Sequence, residues 1–350
     1  MTHGKLADDE PRTLVRLTYE KLVQYTDNFS KSNYIGHFQY GKLYRGKIDW
    51  LMRVEYVMVK IWEVPEVYNY EPGDNKHRLM DEIILLRHET LINHPGMVRL
   101  FGYCYEGECL AVVYEFKPFD SVFNLIPKDG FTWLQRIKTA FGFASLLKFL
   151  HERKSSFYKP FIVRNLDAAH IVLDEDYNPK LCDFGSITGG IFPDRTTYGG
   201  QHVLGCHGYI DISASGNLPD KQDVFAFGVI LVSLISKEVY TEDDRQGSLP
   251  FVYEWAWREF EAYESDIDME KPEFSLVHKN LAEGPDFCLG DGHKITALAL
   301  KCVNRDECER PNMKQVVRSL LKLEVVKQHS HFLGLNNNWG VLRPCQNDTT

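Results

Sequence analysis

Val163-Arg164-Asn165-Leu166-Asp167-Ala168-Ala169-His170 runs on into Ile171-Val172-Leu173-Asp174, and thirteen residues after His170 comes Asp183-Phe184-Gly185. The architecture of this 350-residue chain is written in this stretch. Four polar side chains interrupt an apolar run. Asn165 can hydrogen-bond a hydroxyl but cannot take up its proton. Asp167 brings a carboxylate, and His170 an imidazole that is a poorer Mg²⁺ ligand than a hard oxygen donor.

Outward from this stretch the composition is that of a globular chain, 44% hydrophobic and 25% charged, long enough for two lobes or two domains. The net charge of −9 argues against nucleic acid or anionic lipid as a partner. The negative charge is concentrated: residues 240–273 hold eleven acidic and three basic side chains. That run reads first as a solvated face and second as a partner-facing surface. The aromatic residues within it, Phe251, Tyr253, Trp255 and Trp257, are expected in the core because of the apolar area they carry. Eight cysteines are scattered without a CxxC pair. His202, Cys206 and His207 lack a second ligand pair at metal spacing, so free thiols in a reducing compartment are expected. There is no apolar leader, residue 2 is not Gly, and the apolar run 224–235 is too short to span a bilayer. A cytoplasmic chain with no direct membrane anchor is expected, one that a partner can recruit to the plasma membrane.

Gly and Pro punctuation and apolar spacing divide the chain in two. Residues 1–15 read as a flexible N-terminus, and 18–29 as a short amphipathic helix. Strands are expected at 33–36, 41–48 and 56–61, a loop at 64–78, a helix at 79–90, and strands at 98–103 and 110–116. From residue 117 the pattern becomes helical, at 132–151, 224–236, 295–303 and 313–326, and 326–350 reads as a flexible C-terminal tail. The fold class is α+β: a β-rich lobe over 16–116 and a helical lobe over 117–325.

The ordered motifs resemble those of a protein kinase over residues of about 16–325. Gly36-His37-Phe38-Gln39-Tyr40-Gly41 lies where a Gly-rich loop would cover phosphates. Val57-Met58-Val59-Lys60 is similar to the strand whose Lys meets the α/β-phosphates, with Glu82 as its helix partner. Leu17-Thr18-Tyr19-Glu20-Lys21-Leu22, Leu100-Phe101-Gly102-Tyr103-Cys104 and Val113-Tyr114-Glu115-Phe116 resemble plant receptor-like kinases and their cytoplasmic relatives. So do Gly205-Cys206-His207-Gly208-Tyr209, Asp223-Val224-Phe225-Ala226-Phe227-Gly228 and Glu309-Arg310-Pro311. The resemblance implies a two-lobed protein-kinase-like fold. It also implies that Lys60, Glu82, Asp183, Gly36 and Gly41 are what remains of an ATP site, with Asp183 the metal ligand if nucleotide binds.

The same resemblance marks what is lost. Asn165 stands for the base Asp, Asp167 for a phosphate-facing Lys and His170 for a metal-binding Asn. Two unit charges 4 Å apart interact by roughly 4 kcal/mol at an effective dielectric of 20, so turning that Lys into a carboxylate removes several powers of ten in rate. Phe38 stands at the middle Gly of the phosphate loop. Met58 stands at the small residue that roofs adenine, where overfilling costs about 1–3 kcal/mol. Ser213 falls where a Glu would pair with Arg310. The apolar spine is kept, through Val163, Phe184 and Leu86. No cofactor is required by this reading, and ATP with Mg²⁺ would be obstructed at Phe38 and Met58.

Such degenerate members are similar to a plant pseudokinase subset that serves as adaptors or baits for coiled-coil NLR immune receptors. The implied partners are an NLR-type receptor and a pathogen effector or another receptor-like cytoplasmic kinase. Ser186, Thr188, Thr196 and Thr197 are the hydroxyls offered for modification. The alternatives are a weakly active or atypical Ser/Thr protein kinase and an ATP-gated binding switch.

Overall fold

The computed structural model describes residues 14–50, 53–64, 72–153, 159–192, 197–198, 201–202, 205–211, 218–241, 244, 249–266 and 272–335. The first lobe is a six-stranded sheet in the order β1-β5-β6-β4-β3-β2. Its strands are β1 (Val15–Leu17), β2 (Tyr34–Phe38), β3 (Gly41–Trp50), β4 (Arg53–Trp62), β5 (Leu100–Glu106) and β6 (Cys109–Tyr114). All neighbours are antiparallel except β1, which lies parallel to β5. Strand β1 begins at the edge of the segment read as a flexible N-terminus. Three residues carry no readable alternation, and their pairing with a strand more than eighty residues away is a tertiary event. Residues 1–13 lie outside the described part.

Helix α1 (Tyr19–Tyr25) packs on the sheet through Leu22 and Tyr25, and α2 (Asp74–Leu86) covers the other face. Helix α2 starts five residues before its expected start, inside the span read as a loop. Gly73 at φ 99 supplies the left-handed residue just before it.

The second lobe is helical, built around α4 (Trp133–His151) and α5 (Pro219–Ser236). Helix α4 opens on a capping box: Gln135 N–H donates to the Thr132 hydroxyl, and Thr132 N–H to Gln135 Oε1. Helix α5 opens on Pro219, whose missing N–H costs nothing at a first turn. A three-stranded sheet of β7 (Asp120–Ser121), β8 (Ile171–Leu173) and β9 (Pro179–Leu181) lies against α4, with the short helix α3 (Val122–Leu125) beside it. It carries the loops on either side of Asp183.

Helix α6 (Val252–Ser265) sits on α5 through buried Val252 and Ala256, while Phe251, Tyr253, Trp255 and Trp257, expected in the core, are half-buried. Tyr253 meets Phe225 edge-on at 5.0 Å, and Trp257 Nε1 donates to Val303 O at 3.0 Å. The acidic side chains Glu259, Glu261 and Glu264 point outward. Helices α7 (Lys279–Ala282) and α8 (Leu289–Cys302) follow.

The expected helix over 313–326 is broken into α9 (Met313–Leu320) and α10 (Glu324–Gln328). The buried carboxylate of Asp291, on α8, accepts Glu324 N–H at 2.8 Å and Val325 N–H at 2.9 Å, capping α10 from another helix. The expected tail is also shorter than read. Val326, Leu333 and Leu335 are buried in the core of the helical lobe, so the chain is packed to residue 335. Residues 336–350 lie outside the described part.

Candidate functional site

The site lies where the sheet meets the helical lobe. Strand β4 delivers Lys60, α2 delivers Glu82, and the turn after β9 delivers Asp183. Lys60 Nζ donates to Glu82 Oε2 and Asp183 Oδ1, each at 2.7 Å, and all three side chains are fully buried. Burial alone would lower the Lys60 ammonium, but the two carboxylates hold it above its ordinary value. Burial raises Glu82, and Lys60 offsets this only in part. Asp183 is held below the usual carboxylate range: burial pushes the other way, and Lys60, His170 and the Gly185 N–H together outweigh it. The Tyr114 hydroxyl donates to the second oxygen of Glu82 and fixes that carboxylate from the sheet side.

The catalytic-loop stretch meets this triad from below. Asn165 Nδ2 donates to Asp183 Oδ2 at 2.6 Å, while Gly185 N–H reaches Asp183 Oδ1 at 3.2 Å. Both carboxylate oxygens are therefore taken by donors of this chain. Asp167 caps the short 3₁₀ turn Ala168–His170 by accepting Ala169 N–H at 2.8 Å. His170 Nδ1–H donates to Asn165 O at 2.8 Å and leaves Nε2 to accept Gln39 N–H at 3.2 Å. The scaffold beneath is ordered as expected. Asp223 accepts Val163 N–H and Arg164 N–H, each at 2.8 Å, with His151 Nε2 at 2.9 Å. Val163, Phe184 and Leu86 share one apolar cluster.

The roof of the cleft is closed on this floor. The Phe38 ring lies over Lys60 Nζ with its centroid 4.4 Å away and meets Trp62 edge-on at 5.9 Å. Phe38 is 3% exposed, and Met58 is fully buried opposite Tyr114 on β6. Gln39 Nε2 donates to Gly205 O at 3.3 Å, so the turn after Phe38 is tied to the segment around residue 205 as well.

The residues present do not fit an ATP–Mg²⁺ pair in this arrangement. The ammonium that would meet phosphate lies under a phenyl ring, and the carboxylate that would hold the metal has donors on both oxygens. Of the two loop glycines, Gly41 is required, because a Cβ there would stand 2.0 Å from Ile61 O. At Gly36 a Cβ would meet nothing within 4 Å.

Two expectations change. Ser186 and Thr188 were offered as modifiable hydroxyls, but both are buried, and the Thr188 hydroxyl accepts Arg164 Nε–H at 3.0 Å. Their positions four and two residues before Gly190 say nothing of burial; the pairing of Thr188 with Ile162 decides it. Thr196 and the side chain of Thr197 lie outside the described residues. Arg310, expected to lose its partner because Ser213 is not Glu, pairs instead with Asp211, two positions earlier. Among the described residues no helix is long and apolar enough to cross a membrane.

Comparison with known proteins places the fold. The family model described as Protein kinase domain matches residues 29–321. The chain is 33% identical over 324 residues to a probable serine/threonine-protein kinase of Arabidopsis thaliana, PBL2, covering 89% of this chain and 71% of the relative. It is 30% identical over 335 residues to PBL16 of the same plant, covering 92% and 76%. It is 31% identical over 316 residues to an EPD1-interacting receptor-like cytoplasmic serine/threonine-protein kinase of Nicotiana benthamiana, covering 87% and 62%. Fold, ordered motifs and kinship agree that the chain belongs to the protein kinase family, with plant cytoplasmic serine/threonine kinases among its relatives.

Proposed function

We propose that this chain is a catalytically inactive kinase-fold adaptor or decoy of plant intracellular immune signalling, one that links the action of a pathogen effector to an NLR-type receptor. The observation that carries the inactivity is the closed cleft: Phe38 lies on Lys60 while Gln39 N–H is bonded to His170 on the floor. Three losses act in series. Asn165 cannot take a proton, Asp167 repels a γ-phosphate, and Phe38 fills the space the phosphates would need. The adaptor role is supported by the retention of Lys60, Glu82, Asp223, Arg310 and the apolar spine around the altered loop, and by the kinship to plant cytoplasmic kinases.

The purified chain incubated with labelled ATP and Mg²⁺ or Mn²⁺ should incorporate no phosphate, into itself or a generic substrate, above a Lys60→Ala variant. Incorporation that Lys60→Ala abolishes would overturn inactivity. Affinity purification from plant tissue tests the partner half, and absence of any NLR receptor would remove it. One observation favours the other reading, of an atypical Ser/Thr kinase: Lys60 and Glu82 keep the ion pair that an active kinase needs. A thermal-shift titration separates the two. Saturating ATP at 100 times its dissociation constant should stabilise an ATP-binding chain by about 2.7 kcal/mol, whereas the inactive adaptor shows no shift.

A further inference from the structure

Asp167, His170 and Cys206 converge on one point. A carboxylate oxygen, an imidazole nitrogen and the Cys206 sulfur all lie within 4.8 Å of one another, although Cys206 is 36 residues further along the chain. The sequence pairs Cys206 with His202 and His207 by proximity alone; the fold turns His207 away, onto Phe251 and Tyr240. We infer that Asp167, His170 and Cys206 form a binding site for one divalent transition-metal ion of the zinc class.

The donor set is the first argument. One oxygen, one imidazole and one thiol is a borderline-soft combination that suits zinc or cobalt and is wrong for Mg²⁺. The second argument is orientation. His170 Nδ1–H is fixed on Asn165 O at 2.8 Å, which puts the lone pair on Nε2, as an outer-shell carbonyl does for a metal-binding histidine. Asp167 is held by Ala169 N–H at 2.8 Å and by the Tyr209 hydroxyl. The third argument is independent of the set. The Asn165 side-chain oxygen, on a fully buried residue at the same loop, has no hydrogen-bond partner. An orphaned buried oxygen costs about 1–3 kcal/mol, and a cation or its bound water would relieve it.

Bond lengths of about 2.0–2.3 Å around a tetrahedral ion place donors roughly 3.3–3.6 Å apart, so the ion draws the set inward by about 1 Å. The Cys206 proton leaves to solvent as the thiolate binds. Nε2 of His170 exchanges Gln39 N–H for the ion, so metal binding trades the contact between cleft roof and floor for a tie between residue 206 and the 167–170 turn. None of this depends on whether the fold transfers phosphate.

The test is a cobalt titration of the reduced, chelator-treated full chain. We expect about one equivalent to bind with a thiolate-to-cobalt charge-transfer band and four-coordinate ligand-field bands, bleached by zinc and untouched by magnesium. Cys206→Ser should abolish the charge-transfer band, whereas replacing the exposed Cys308 in Cys308→Ser should leave it. Asp167→Asn and His170→Asn should weaken cobalt binding on the order of 100-fold. Circular dichroism confirms folding of each variant. If Cys206→Ser fails to fold, the half-buried Asp167→Asn decides. No band in the parent chain, a band that survives Cys206→Ser, or undiminished affinity in folded Asp167→Asn overturns the site.

Discussion

Asn165 holds the floor of the site together from within the loop that resembles a catalytic one. Its amide bridges to Asp183 Oδ2 at 2.6 Å, a bond that a carboxylate could not make. Asn165→Asp, the obvious reversion, would set two carboxylates in contact in a dry site, where both cannot ionise. It should lower the melting temperature near neutral pH, partly recover on acidification as a proton is shared, and transfer no phosphate. A variant at least as stable as its parent, or one that phosphorylates, would contradict this.

Lys60 carries a similar double meaning. Lys60→Met leaves Glu82 and Asp183 buried and unpaired, which costs about 3–5 kcal/mol. The substitution usually chosen to kill a kinase should here show first as a lower denaturation midpoint, and an unchanged midpoint would refute the triad's role. Asp183 sets a pH window. Its folded pKa lies below the ordinary value of 3.8, so its stabilisation is present above that value and is lost as the pH falls through the folded pKa. In urea titrations the parent should lose stability more steeply than Asp183→Asn as the pH falls below 3.8; parallel curves there would refute it.

At the scale of the element, periodicity and caps located most helices and strands, and failed where the partner is distant in sequence. The capping box of α4 is legible in Thr132 and Gln135. The end of α9 is not, because residues 313–326 keep apolar spacing throughout and the break comes from Asp291 on α8. Asp291→Ala should cost about 1–2 kcal/mol and fray α10. Hydrogen exchange at Glu324 and Val325 reads this directly, and unchanged protection there would remove the explanation. Strand β1 was hidden for the same reason, as was the burial of Ser186 and Thr188: these segments are defined by what they pair with.

For the molecule as a whole, the described part of the acidic run includes the amphipathic helix α6, with Tyr253 against α5 and Glu259, Glu261 and Glu264 outward. Reversal of Glu259, Glu261 and Glu264 to Lys should change stability by no more than about 0.5 kcal/mol while reducing partner recovery in pull-downs. Full recovery would send the search to another face. By itself the sequence determined the two-lobed α+β fold, the candidates Lys60, Glu82 and Asp183 and the departures from the kinase pattern at 165, 167 and 170, because ordered motifs and periodic burial are properties of a chain read in order. Only the tertiary structure decided that Phe38 lies on Lys60, that Asp211 takes over Arg310, and that Cys206 meets His170 and Asp167. Each of these depends on distances between segments far apart in sequence, which the packing of the two lobes fixes and local patterns do not record.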